Sequence, residues 1–388
     1  MLTMANLNRR IIFDNETQIN KKQFSQTIDI DLDLEGTVQH PLHNLPGYFI
    51  RSVESALKYT EFLISKGITN ITYRLGGGLQ IEEPDSYVYA PLLLNSESNV
   101  CAKFDADTIL DKHVEFYTLL RKVFPRGYLH ITADPFGIAP NLSDGAWGAR
   151  DERGELDEEQ TYLLLEKIAD KYSSCDVDAL LTMGRVENEV EITRRVIDSN
   201  KRNTEIYAFS QNIESKAAYV YLDKLNKADS YQKILPGNIT EMKIRTILDI
   251  YAGVDAIIVK PSENLHVIQF TKDYVTSPEV ALSFLESIVD SDIFGDKNHI
   301  RSICKKILED KNTFENNCKR VTIGTYAVSG SYLMDKLLEE NKGKEFSFNV
   351  QNEKYRNIIS IIGDRMAHII DRSTESYLDF IENGDVSE

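Results

Sequence analysis

A (β/α)8 TIM barrel with an N-terminal arm and a helical insertion before its seventh strand is the fold the sequence predicts. Three observations carry it. Short β-branched or aromatic runs alternate with helical segments along most of the chain. Several of these runs hold consecutive apolar residues instead of strict alternation, as parallel strands covered on both faces do. About sixty residues separate Lys260 from Ile323, roughly twice what one βα unit needs. A doubly wound open sheet is the runner-up.

In chain order, residues 1–30 are polar and charged and read as an arm, with the barrel domain spanning 31–388. The expected strands are QTIDIDL, ITNITYRL (68–75), GYLHITA (127–133), DALLTM (178–183), TEIYAFS (204–210), DAIIVK (255–260) and VTIGTYAV (321–328), with a weaker eighth at SYLDFIE (376–382). The segment 157–171 begins acidic and ends basic, in accord with the helix dipole. Asn238 with Glu241 three positions on resembles a capping box, and Gly253 follows as a stop. Residues 275–318 look helical and form the expected insertion near the barrel rim.

Charge narrows the function classes. The chain of 388 residues carries 44 Lys and Arg against 61 Asp and Glu, a net charge of −17. Such a surface argues against a nucleic-acid or anionic-membrane binder but leaves room for a basic pocket that takes a small anion. The four cysteines, Cys101, Cys175, Cys304 and Cys318, contain no CxxC pair, so neither a disulfide framework nor a cysteine zinc site is expected. The polar N-terminus lacks the apolar core of a secretory leader, and no run is long enough to cross a bilayer. A cytoplasmic protein is the expectation.

Lys260 is the main candidate for chemistry. It ends a run of four apolar residues and precedes a proline, at the strand end where barrel active sites lie. Buried lysine is costly unless paired or neutral, and a neutral amine there is what condensation with a carbonyl needs. A lysine that has already emerged to solvent is the plain alternative. The stretch IGTYAVSGSY (323–332) offers Ser329, Gly330 and Tyr332 as ligands for a carboxylate or phosphate, although such a turn is commonly structural. Gly76, Gly77 and Gly78 could form an anion nest or a plain loop. Asp134 and Asp144, in DPFGIAPNLSDG, are weak candidates for a hard cation such as Mg²⁺. The seven histidines show no HxH or HExxH spacing; His266 is the one near Lys260. Trp147 with the charged run 150–153 reads as an exposed loop or a lid.

Taken in order, four segments resemble the 5-aminolevulinate dehydratase, or porphobilinogen synthase, family. They are LPGYFIRSVESALKYTEFLISKGITNITYRLG (45–76), DALLTMGRVENEVEITRRVID (178–198), PGNITEMKIRTILDIYAGVDAIIVKP (236–261) and IGTYAVSGSYLM (323–334). The family joins two molecules of 5-aminolevulinate on a barrel, with two Schiff-base lysines. The resemblance implies that Lys260 binds the first substrate, with Ser329 and the Gly330 backbone holding its carboxylate. The second half of the family pattern is rewritten here. In AFSQNIESKAAYVYLDKL (208–225) a gapless match puts Glu214 at the second lysine, and Lys216 fits only with two inserted residues; Lys224 stands near the family's second carboxylate-binding arginine. Thr132 and Met183 replace a family aspartate and serine, and the last strand's tyrosine has no match in SYLDFIENG.

The resemblance therefore implies a divergent Schiff-base lyase of a biosynthetic pathway. It would bind a keto or amino acid such as 5-aminolevulinate on Lys260 and condense or dehydrate it with an altered second substrate. The alternatives are a genuine porphobilinogen synthase using Lys216 and a non-catalytic barrel for binding or assembly. The family's arm embraces a neighbouring subunit, which implies a homo-oligomer.

Overall fold

The computed structural model describes residues 17–42, 45–76, 80–81, 102–103, 106–138, 147–149, 151–153, 155–220 and 232–384. Eight parallel strands form the barrel: β1 (Phe24–Asp31), β2 (Asn70–Gly76), β3 (His130–Asp134), β4 (Ala179–Thr182), β5 (Glu205–Ala208), β6 (Ala256–Val259), β7 (Thr322–Tyr326) and β8 (Met366–Asp371). They follow one another in order, and β8 closes onto β1 through Phe24↔Ile369, Ser25↔Ile370 and Gln26↔Asp371. The first strand thus begins at Phe24, inside the segment read as an arm. Residues 1–16 lie outside the described residues.

Alternation along each strand builds two cores. Outward side chains such as Ile28, Ile30, Ile71, Ile131, Ile257 and Ile323 pack under the helices, while Ala179, Leu181, Tyr207, Ala256 and Ile258 fill the barrel interior. That interior is polar on the β1–β3 side, where Ser25 and Thr72 share a 2.8 Å hydrogen bond. The strand assignments from the sequence hold for the first seven elements.

The eighth was misplaced. SYLDFIE lies in a helix, Thr374–Gly384, and the strand is MAHIID (366–371). In the helix, Tyr377 and Leu378 are buried and Phe380 and Ile381 partly so, a helical spacing that consecutive apolar letters disguise. The strand is hidden because its pairing with β7 slips between Ile323↔Met366 and Thr325↔Ile369, a bulge that breaks the period of two.

Helices alternate with the strands from α1 (Val53–Ser65), α2 (Ala106–Val123), α3 (Glu158–Ser174) and α4 (Glu189–Ser199) to α5 (Ile239–Tyr251) and α6 (Leu265–Thr276). The Asn238 carboxamide caps α5, accepting from the Glu241 N–H and donating to the Glu241 side chain at 2.7 Å. The extra residues before β7 fold as α7 (Pro278–Ile288), α8 (Asn298–Glu309) and α9 (Lys311–Cys318), which pack on α5 and α6 through Leu282, Leu285, Ile307 and Phe314. Beyond β7 come α10 (Ser329–Lys342) and α11 (Lys344–Ile362). Among the described residues no helix is long and apolar enough to cross a membrane.

A hairpin of Gln39–Pro41 and Phe49–Arg51 follows β1 and carries Tyr48 over the barrel mouth. Trp147, expected in an exposed loop, is wholly buried. Its backbone N–H and carbonyl are both bonded by the Gln232 carboxamide, at 2.8 Å each.

Candidate active site

The C-terminal ends of the strands bring a charged set into the mouth. Lys260 extends β6 by one residue, where Asn212 continues the pairing from β5. Its Nζ stands 4.8 Å from the centre of the Phe209 ring and 5.1 Å from that of Tyr326, and these two rings meet edge to face. Such faces attract an ammonium through their quadrupole. Around Lys260, a cavity of about 20 Å³ is lined by Arg74, Asp134, Met183, Ala218, Ser329 and Arg372, among others. That is room for about one water.

Behind this cavity lies a buried ion cluster. Asp29 on β1 accepts from Arg372 Nη2 at 3.2 Å and from the Tyr48 hydroxyl at 2.8 Å, with Arg74 Nη1 at 3.9 Å. Burial pushes the Arg372 guanidinium down, but Asp29, Tyr326 and Tyr48 more than offset it, so the group stays firmly charged. Burial and the neighbouring Asp29 carboxylate hold the Tyr48 phenol well above its ordinary range. Arg74 also lies over the Phe136 ring, 4.6 Å from its centre.

Asp134 ends β3. Burial raises its carboxyl above the usual range, a rise partly offset by Arg74, by the Phe136 N–H at 2.9 Å and by Lys260. Its nearest charges are thus cationic, a poor setting for Mg²⁺. Among the described residues no three His, Cys, Asp or Glu gather as a metal site. Asp144, the proposed second ligand, lies outside the described residues, as do Lys224, Gly77 and Gly78.

The other expected residues divide between the mouth and its surroundings. The Ser329 hydroxyl opens α10 beside Lys260, but it donates to the Ala218 carbonyl at 2.7 Å and accepts from the Val220 N–H at 3.2 Å. A short turn, Lys216–Tyr219, is thereby clasped over the cavity. Gly330 permits the clasp, since a Cβ there would stand 2.7 Å from the Ala217 carbonyl oxygen. Lys216 itself is exposed on that turn and does not line the cavity. Glu214 pairs with Lys233 at 3.3 Å. Tyr332 packs edge-on against Tyr48 and donates to the Pro46 carbonyl at 2.9 Å, supporting the cover. His266 is exposed.

Sequence reasoning missed Asp29, Arg74 and Arg372. Signals existed for two of them: a lone charge inside an apolar strand run, as in TIDI and ITYRL, marks an inward position of a parallel barrel. Arg372 was hidden with its misplaced strand, at whose end it stands.

No protein-family model matches the chain, and no curated protein matches it by sequence. Among solved structures it is similar to δ-aminolevulinic acid dehydratase (porphobilinogen synthase) from Toxoplasma gondii ME49 in complex with the reaction product porphobilinogen. That match has 17% identity and a TM-score of 0.63, over 96% of this chain and 90% of that one. The 7,8-dihydropteroate synthase from Vibrio fischeri is matched at 10% identity and a TM-score of 0.35, over 92% and 91%. At 17% identity the first likeness establishes a common fold: the chain is a (β/α)8 barrel similar to that of porphobilinogen synthase.

Proposed function

We propose that the protein is a Schiff-base enzyme of the lyase type, in a biosynthetic pathway, that condenses Lys260 with a keto acid such as 5-aminolevulinate. The imine then serves a condensation or dehydration with a second substrate. One observation carries the reading. Three cations, Lys260, Arg74 and Arg372, share the mouth with two carboxylates, Asp29 and Asp134. With Lys260 as the free amine and Asp134 protonated, as the reaction needs, Arg74 and Arg372 still exceed Asp29 by one positive charge. That charge complements a single substrate carboxylate, and the shared fold supports the same chemical class.

In the first step the Lys260 amine attacks the ketone carbon. The carbonyl oxygen takes a proton, and the carbinolamine then loses water to leave the C=N bond. Asp134 is the group suited to hold that proton, because burial keeps its carboxyl protonated to higher pH than usual. A keto acid needs more room than about 20 Å³. The reading therefore requires the Lys216–Tyr219 turn to lift from Ser329, and this would free the Ser329 hydroxyl for the substrate carboxylate.

The narrowness of the cavity favours one other reading, a barrel kept as a binding or assembly module. A genuine porphobilinogen synthase with Lys216 as second lysine has less support, because Lys216 is exposed and outside the cavity lining. Borohydride reduction in the presence of 5-aminolevulinate, followed by peptide mass spectrometry, separates these. The Schiff-base reading expects one reduced adduct, on Lys260, that is absent in Lys260→Ala. An unmodified Lys260 would overturn it, and a pyrrole product lost in Lys216→Ala would restore the porphobilinogen reading.

A further inference from the structure

A second cavity, of about 930 Å³, opens on the outside of the barrel between α5, the β4–α4 connection and the inserted helices. Its volume falls in the range of small-ligand sites. One wall is apolar, with Ile244 and Leu248 from α5 facing Phe294, Ile300 and Ile303 from the insertion. The polar groups sit at the barrel end, where Thr182, Ser210 and Asp249 meet.

Most charges around this cavity already have partners. The Glu189 carboxylate accepts the N–H groups of Gly184, Arg185 and Val186, at 3.0, 2.7 and 2.8 Å. Glu241 pairs with Arg245 at 2.7 Å. Glu187 binds His299 and, at 3.3 Å, Lys297, tying the insertion to the barrel across the opening. Lys306 stands over the Tyr251 ring, 5.8 Å from its centre. Asp249, like Glu189 and Glu191, has no salt-bridge partner among the described residues. It is half-buried and lines the cavity. The Ser210 hydroxyl beside it is buried and bonds the Asp249 carboxyl. A carboxyl and the hydroxyl that bonds it therefore face the same space, and the carboxyl has no cation on it.

We propose that this cavity binds a small amphipathic amine, its cationic nitrogen on Asp249 and Ser210 and its apolar body against Ile244, Leu248, Phe294 and Ile300. Charge complementarity selects the cation. Five acids, Glu187, Glu189, Glu191, Glu241 and Asp249, line the cavity against three bases, Arg245, Lys297 and Lys306, so its lining is net negative, and the apolar wall has no use for a second charged group. Burial pushes the Asp249 carboxyl up to about 7, and a bound ammonium would bring it back down.

Calorimetry with 2-phenylethylamine, and with 2-phenylethanol as its neutral counterpart, tests the assignment on the full chain. The amine is expected to bind about tenfold or more tightly than the alcohol, as a charge-assisted hydrogen bond implies. Asp249→Asn should erase that preference, and Leu248→Trp, which fills the cavity from the barrel side, should abolish binding of both. Equal affinity for amine and alcohol, or no binding of either, would overturn the proposal. So would a preference that survives Asp249→Asn in a variant folded by circular dichroism. Should that variant not fold, Ser210→Ala takes its place and must weaken the amine more than the alcohol. Ile300→Trp fills the space from the insertion side and must likewise abolish binding.

Discussion

The barrel mouth and the outer cavity stand back to back, and they differ in opposite respects. The mouth lines a space of about 20 Å³ with four charged side chains and sets Asp29 behind them, whereas the outer cavity offers about 930 Å³ with five acids against three bases. The same two strand ends separate them. Thr182 and Ser210 face outward, while Met183 and Phe209 face Lys260. Period-two alternation alone thus puts bond-making groups on one side of a wall and room for a ligand on the other. Reactive chemistry and open volume need not coincide.

Breaking the ion cluster should have the largest effect. Arg372→Met leaves Asp29 buried with half its support, and removing one member of a buried pair costs about 3–5 kcal/mol. A fall in the urea midpoint of that order, together with loss of the Lys260 adduct, is expected. An unchanged midpoint would show that Tyr48 and Arg74 suffice for Asp29.

Gly184 tests the shared wall itself. It has φ +59°, and a Cβ there would stand 2.1 Å from the Phe209 carbonyl oxygen. Gly184→Ala should therefore cost about 2–4 kcal/mol through overpacking and backbone strain. It should also impair both sites at once: adduct formation at Lys260 and amine binding outside.

A smaller, pH-dependent effect belongs to the outer side alone. Asp249 has its carboxyl raised from 3.8 to about 7 in the folded state, mainly by burial. Between those values the folded chain holds a proton that the unfolded chain has released, so stability falls as pH rises through about 4 to 7. Asp249→Asn removes this contribution. Its urea midpoint should gain on that of the natural chain between pH 5 and pH 8, while trapping at Lys260 stays within about twofold, as expected for an uncoupled site. The smallest effect is expected from Lys216→Ala. An exposed lysine outside the cavity lining should leave the Lys260 adduct unchanged in mass-spectrometric yield.

The fold was legible because parallel strands under helices write themselves as apolar runs, and seven of these were found near their observed positions. The eighth failed where a bulge breaks the period and a helix offers consecutive apolar letters. Lys260 was legible for a related reason: a lysine closing four apolar residues is out of place unless the strand end is a site. Its partners were not, because Asp29, Arg74 and Arg372 come from three different strands whose convergence depends on barrel closure. The clasp of Ser329 by Ala218 and Val220 left no trace in composition or spacing. The outer cavity was equally invisible, since the insertion could be seen as helical without showing what it packs on.

The most direct test of a mouth built for one carboxylate beside a reactive lysine is the rate of borohydride trapping with levulinate against methyl levulinate. These two share a ketone and differ in the charge of the acid. The surplus cation in the mouth predicts that levulinate modifies Lys260 at least about tenfold faster, the equivalent of 1.4 kcal/mol. It also predicts that the advantage vanishes in Arg74→Met. Equal rates for acid and ester, or an adduct on exposed lysines instead of Lys260, would contradict it.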